Sequence, residues 1–227
     1  ITGSNNSGKS LLLKVLAGLV NVKNKAVYNK EIIKSDNDIA YFKSTIFNFD
    51  TVIKVLRYPL ECLGLDDDKI LVLVKDIAKD LKITKLLDSK VKDLSNYERT
   101  RVGLASVLIS NPKLLFLDDP CLYLSPLEKE EFMGILERLR SRGMTIVISC
   151  SSLEEVVYTI NSTLYVLDKG TIVSSGDMLE VLSNDSLLNK VGLELPFMVD
   201  LSVKLKYYNL VSKINMSPLG MVMSLWK

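Results

Sequence analysis

The stretch that most constrains this chain is Gly3-Ser4-Asn5-Asn6-Ser7-Gly8-Lys9-Ser10, which fits the pattern G-x-x-x-x-G-K-S. Glycine reaches backbone conformations closed to other residues, so such a loop turns its N–H groups onto phosphate oxygens. Lys9 supplies positive charge at the β/γ-phosphates and Ser10 offers a hydroxyl to Mg2+. The apolar run that follows, Leu11-Leu12-Leu13 and on to Leu19, reads as a helix whose positive dipole end faces the anion. An ordinary glycine turn capping a helix is the competing reading, and the eight-residue pattern ahead of an apolar helix argues against it. A loop of this kind joins a strand to a helix and so commits the chain to an α/β fold. The strand expected before it is reduced here to Ile1-Thr2.

The remaining segments alternate in the same sense. "DIAYF" at 38–42 predicts a strand, "KLLFLDD" at 113–119 a buried strand ending in Asp118 and Asp119, and "MTIVIS" at 144–149 another. "TLYVLDKGTIVSSG" predicts a strand pair turning at Lys169-Gly170, and a helix is expected from Pro126, with proline in its first turn and acidic residues early. Between 43 and 111 the alternation is lost, and helical periodicity dominates in "DDKILVLVKDIAKDL" and "RTRVGLASVLI". From about Asn184 the tail is helical and amphipathic, reaching the single tryptophan, Trp226. The expected architecture is a P-loop nucleotide-binding core with a largely parallel sheet over 1–42 and 112–183. A helical insert fills 43–111, and a C-terminal helical extension occupies 184–227.

Composition mainly excludes. A chain of 227 residues suits one large domain, and a net charge of +2 with mixed signs gives no argument for nucleic acid. The longest apolar runs, such as "ILVLV" at 70–74, fall far short of a membrane span, and no segment reads as a signal peptide. Cys62, Cys121 and Cys150 share no metal-ligand spacing and cannot all pair, which favours a reducing compartment. Each reads as a small buried apolar residue. Histidine is absent from the chain altogether.

A second group of residues narrows the family. Leu94-Ser95-Asn96-Tyr97-Glu98 is followed by Arg99 and Arg101, then Asn111-Pro112, then an apolar strand closing on Asp118-Asp119-Pro120. This order resembles the ATP-binding-cassette (ABC) ATPases, whose pattern is LSGGQ, a basic helix, N-P, and a strand ending D-E-P. The resemblance implies ATP and Mg2+ as cofactors, Asp118 in the Mg2+ shell beside Ser10, and Asp119 at the general-base position. It also places Ser95 at a phosphate held across a subunit interface. The tail, with Leu187-Leu188, Gly192-Leu193, Pro196 and Leu201, resembles the ATP-binding subunits of energy-coupling-factor (ECF) importers. That implies a second ATPase subunit, identical or different, and a transmembrane coupling protein on which the 43–111 insert docks, all at the cytoplasmic face of the membrane. The antiparallel N-terminal strands of that family, with their adenine-stacking aromatic, are not within this sequence.

The departures from the family pattern are concentrated at catalytic positions. Lys43-Ser44 stands where a glutamine follows the first core strand; the pair is expected to contact phosphate, but lysine cannot ligate Mg2+. Asn96 and Tyr97 replace the two signature glycines. Asp119 replaces a glutamate and is one methylene shorter, which misplaces a base that needs reach of the attacking water. Leu122-Tyr123-Leu124-Ser125 replaces S-A-L-D, and the position of the switch histidine, sixth after Thr145, is Ser151. The sequence therefore predicts retained nucleotide binding with slow hydrolysis. An importer ATPase and a catalytically silent, nucleotide-gated scaffold subunit both fit that pattern. An ABC protein acting on DNA or ribosomes fits less well, since no long coiled coil or second cassette is present, and relaxed selection on a decaying copy would leave the same drift.

Overall fold

Strand ends decide where this chain does chemistry, and its strands follow from short apolar runs bounded by turn residues. The computed structural model describes residues 1–23, 33, 35, 38–43, 47–159 and 162–226. It divides into two compact units, one of residues 1–9 with 150–227 and one of residues 10–149.

The larger unit is built on a parallel sheet of β2 (Ile39–Lys43), β3 (Leu114–Asp118) and β4 (Thr145–Ser149), with β3 in the middle. Every residue of β3 is buried, as expected for a central strand covered on both faces. The register pairs Ile39 with Leu114 and Leu114 with Thr145, so the three strands finish together at Lys43, Asp118 and Ser149. Side chains alternate across a sheet. Ala40, Phe42, Leu115 and Leu117 therefore join one core, where Ile146 and Ile148 pack against them. The opposite face carries Tyr41 and Lys43, Phe116 and Asp118, and Ser149.

Four helices complete that core: α2 (Val52–Cys62), α3 (Asp67–Asp80), α4 (Asn96–Leu108) and α5 (Pro126–Ser141). Each buries residues at helical spacing, for example Val52, Val55, Leu56 and Leu60 of α2 and Ile70, Val74 and Ala78 of α3. The "ILVLV" run thus splits across a helix, and Val72 on its outer face is 58% exposed. α4 and α5 begin alike, each at a serine N-cap with a reciprocal capping box, Ser95 with Glu98 and Ser125 with Glu128. The helix after the glycine loop, α1, spans Lys9–Leu16, so Ser10 lies in its first turn.

The smaller unit holds a second sheet, in the order β1 (Thr2–Gly3), β5 (Thr163–Asp168), β6 (Thr171–Asp177). The expected hairpin is present: β5 and β6 pair antiparallel, and Lys169 and Gly170 both have positive φ, as a two-residue primed turn requires. The short strand β1 pairs in parallel with β5, Thr2 opposite Val166 and Gly3 opposite Leu167.

Helices α6 (Leu153–Val156), α7 (Met178–Leu182), α8 (Asp185–Lys190), α9 (Phe197–Tyr207) and α10 (Pro218–Leu225) complete this unit. The Gly192-Leu193 pair of the tail is a helix stop. Gly192 has φ +72°, its N–H reaches Asn189 O at 3.0 Å, and Leu193 N–H reaches Leu188 O at 2.9 Å. This double bond is a Schellman motif, closed by the buried pair Leu188 and Leu193. Further on, the buried Ser202 Oγ accepts from Asn215 N–H at 2.9 Å and donates to Asn215 O at 3.1 Å, which fastens the end of the tail to α9. Burial also corrects one expectation from the sequence: Cys121 and Cys150 are buried, but Cys62 is exposed, because it closes α2 at the surface. Among the described residues no helix is long and apolar enough to cross a membrane.

Candidate functional site

The glycine loop folds in the smaller unit as a tight cradle. Gly3, Asn6 and Gly8 have φ of +155°, +62° and +104°. A Cβ on Gly3 would lie 2.1 Å from Leu167 O, so the β1–β5 pairing itself demands glycine there. Ser7 N–H donates to Ser4 O at 3.2 Å, and Gly170 N–H donates to Ser7 O at 2.8 Å, which pins the loop against the hairpin turn. Lys9, 6% exposed, curls back so that its Nζ donates to Gly3 O at 2.8 Å and Ser4 O at 3.0 Å. Ser7 Oγ is buried without a hydrogen-bond partner. An orphaned hydroxyl in a loop of turned-in backbone, with a lysine across its mouth, fits an oxyanion ligand. Because α1 starts at Lys9, its first N–H groups also lack intrahelical acceptors.

The larger unit contains a second cluster, centred on Asp118, whose carboxylate is fully buried and accepts four hydrogen bonds. Oδ1 accepts from Ser10 Oγ at 2.9 Å and Ser149 Oγ at 2.8 Å. Oδ2 accepts from Tyr41 OH at 2.9 Å and Lys43 Nζ at 2.7 Å. Lys43 Nζ also donates to Ser10 Oγ at 3.1 Å. Burial pushes the Asp118 carboxyl up, but the bonds from Lys43, Ser149, Ser10 and Tyr41 together outweigh it and hold the group below its ordinary value. Tyr41 is raised well above the usual phenol, by burial first and then by its bond to the Asp118 anion.

Of the residues singled out from sequence, Ser10, Lys43 and Asp118 are brought together; Ser44 lies outside the described residues. Asp119, immediately past β3, sits at φ +49°, and its N–H donates to Ser149 Oγ at 3.0 Å. Asp119 lines a small pocket with Asn96 and Arg99 of α4. Ser95 serves as the N-cap of α4, its Oγ accepting from Glu98 N–H at 3.2 Å. Tyr97, in place of a glycine, is buried beneath the Arg101 guanidinium, which stands 4.5 Å from its ring centre. Ser151 lies in the bend between β4 and α6, half-buried. Tyr41 and Ser149 were not singled out from sequence. The signal was there in the strand ends: Tyr41 shares a face with Lys43, and Ser149 is the residue that closes the strand beside Asp118.

Ser10 and Asp118 offer the hard oxygens that Mg2+ prefers. With the Lys43 ammonium bonded to both, however, the cluster as placed does not fit a divalent ion. Among the described residues no group of three or more histidine, cysteine, aspartate or glutamate side chains is placed to hold a metal.

Comparison with known proteins identifies the family. Residues 1–122 match the ABC transporter family. The chain is 32% identical over 91% of its length to the energy-coupling factor transporter ATP-binding protein EcfA3 of Oenococcus oeni, covering 76% of that protein. It is 31% identical over 88% of its length to the corresponding EcfA protein of Carboxydothermus hydrogenoformans, covering 77% of it. Among solved structures it is similar to cbiO1 from Clostridium perfringens, part of the ABC transporter complex cbiONQ. That likeness has a TM-score of 0.68 at 26% identity, covering 84% of this chain and 82% of that one. Family match, relatives and fold coincide: the chain belongs to the ABC transporter family, as an ABC-type ATPase resembling the ATP-binding subunits of ECF transporters.

Proposed function

We propose that this chain is a nucleotide-binding subunit of an ECF-type membrane importer, holding ATP in the loop Gly3–Ser10 and pairing with a second ATP-binding subunit. The observation that carries the reading is the loop itself: three left-handed residues, a buried orphan hydroxyl on Ser7, and Lys9 folded over the cradle. In this reading Lys9 leaves the Gly3 and Ser4 carbonyls for the phosphates, and the orphan hydroxyl gains a partner. The relatives' names supply the transport context. The helical segment 43–111 would dock a transmembrane coupling protein at the cytoplasmic face, a role supported by a groove of about 660 Å³ lined by Phe47, Phe49 and Arg99. Its own turnover is expected to be slow, because Asp119 is shorter than glutamate and no histidine exists to occupy the place of Ser151.

Two measurements test this. A fluorescent ATP analogue should bind, and Lys9→Ala should abolish the signal without unfolding the protein. Affinity purification from native membranes should recover a polytopic protein and a second ATP-binding subunit. Recovery of neither would remove the importer reading even if nucleotide binds.

A further inference from the structure

Ser10 Oγ, Asp118 and Lys43 Nζ form a closed triangle of 2.9, 2.7 and 3.1 Å contacts. The first two are the hydroxyl and carboxylate that would coordinate a divalent metal beside a triphosphate. A cation already contacts both, and it is covalently tethered. Its placement is fixed by the fold, because Lys43 is the last residue of β2 and is paired in register with Asp118. The two charges form an ion pair in which the carboxylate is fully enclosed while the lysine side chain stays 47% exposed. One side of the ammonium is therefore spent on Asp118 and Ser10, and the other is open to an incoming anion. Mg2+ requires oxygen ligands at about 2.0–2.1 Å in near-octahedral array, and an ammonium bonded to the same two oxygens excludes it by charge and by volume.

We propose that Lys43 is the resident cation of this site, so that a nucleoside triphosphate binds with its terminal phosphates against the Lys43 ammonium and needs no divalent metal. This rests on the nucleotide-binding reading above. An ammonium has three donors: two are committed to Asp118 Oδ2 and Ser10 Oγ, and the third is available to a phosphate oxygen.

The test compares the whole chain with Lys43→Gln and Lys43→Arg, titrating a fluorescent ATP analogue in Mg2+ and again in EDTA. The wild-type dissociation constant should change by less than about threefold between the two buffers, and Lys43→Arg should behave alike. Lys43→Gln should weaken binding about tenfold or more in EDTA and recover most of the loss in Mg2+, a tenfold change being about 1.4 kcal/mol. Wild-type binding that is strong in Mg2+ and lost in EDTA overturns the inference and leaves the nucleotide reading standing. A Lys43→Gln protein indistinguishable from wild type in both buffers also overturns it. If no protein binds in either buffer while circular dichroism reports all of them folded, the nucleotide reading itself falls and takes this inference with it.

Discussion

Asp118→Asn isolates how much of the larger unit's stability rests on one buried charge. Asparagine keeps the shape of aspartate but has a single carbonyl oxygen. The Lys43 ammonium can only donate, so that oxygen must turn toward Lys43 and Tyr41, and the amide NH2 then faces Ser10 and Ser149. Both hydroxyls can accept, but each loses the acceptor for its own proton. Ser10 is partly exposed and finds water, whereas Ser149 is fully buried and is left with an orphaned O–H, at a cost of about 1–3 kcal/mol. Losing the charge partner of Lys43 adds about 1 kcal/mol or less, because that side chain is nearly half exposed and screened. The sum is about 3 kcal/mol. Lys43→Met removes only the screened partner and should cost about 1 kcal/mol, water replacing the ammonium at Oδ2. With an m-value of about 2 kcal/mol/M, the urea midpoint should fall by about 1.5 M for Asp118→Asn and about 0.5 M for Lys43→Met. Equal shifts for the two variants would refute the argument, since they would make the exposed ion pair, rather than the buried hydroxyl network, the source of stability. A shift below about 0.3 M for Asp118→Asn would mean the carboxylate is solvated after all.

Three further outcomes follow from the same geometry. Gly3→Ala drives a Cβ into the Leu167 carbonyl at 2.1 Å and should cost about 3 kcal/mol or more. Gly170→Ala has open space around it and pays only for its φ of +79°, about 1–2 kcal/mol, so thermal melts should separate the two. Ser125→Ala and Ser95→Ala each remove one half of a capping box and should each cost about 1 kcal/mol, with a small loss of helical ellipticity. The Asp118 carboxyl is held below its unfolded value of about 3.9, so its contribution is present above that pH and is lost as pH falls through the lower folded value. The stability gap between wild type and Asp118→Asn should therefore be constant from neutral pH down to about 4 and narrow below it, in urea titrations run at stepped pH.

Much of this fold is legible in the sequence because its strands are short apolar runs closed by chemically distinct residues. "KLLFLDD" announces both a buried strand and the carboxylates at its end, and Lys169-Gly170 announces a hairpin. The start of α4 reads differently in sequence and in structure. A family pattern makes "LSNYE" a degraded signature, whereas its local physics makes it a well-formed helix start, with Ser95 and Glu98 exchanging hydrogen bonds and Tyr97 buried under Arg101. The tail glycine shows the same double reading, as a family landmark and as the left-handed residue that ends α8. Tyr41 and Ser149 were harder to single out for a different reason. Neither belongs to a contiguous motif, and each gains its role only when three strands separated by roughly 30 to 70 residues are laid in one parallel register. A one-residue slip of that register would turn Lys43 and Ser149 to the opposite face.

That register explains how the cluster carries a new charge without a new fold. Ala40, Phe42, Leu115 and Leu117 fix the pairing from the core face, and their packing is indifferent to what closes β2 on the other face. Lysine at position 43 is therefore not needed to set the register, yet its long stem delivers an ammonium to the buried Asp118 carboxylate at the sheet's end. Asp118 and Lys43 together are formally neutral, and a divalent ion in place of the ammonium would leave the same carboxylate with a net positive charge. A triphosphate meeting the tethered monocation gains less Coulomb attraction, but it also pays nothing to recruit and dehydrate a metal ion. On that proposal, binding would be separated from the metal-dependent steps of catalysis. A lysine that would favour holding nucleotide in a metal-poor setting would also remove the divalent charge that stabilises a transferring phosphoryl group. The Lys43→Gln comparison in EDTA and Mg2+ measures that separation directly, because it changes the cation and leaves the register untouched.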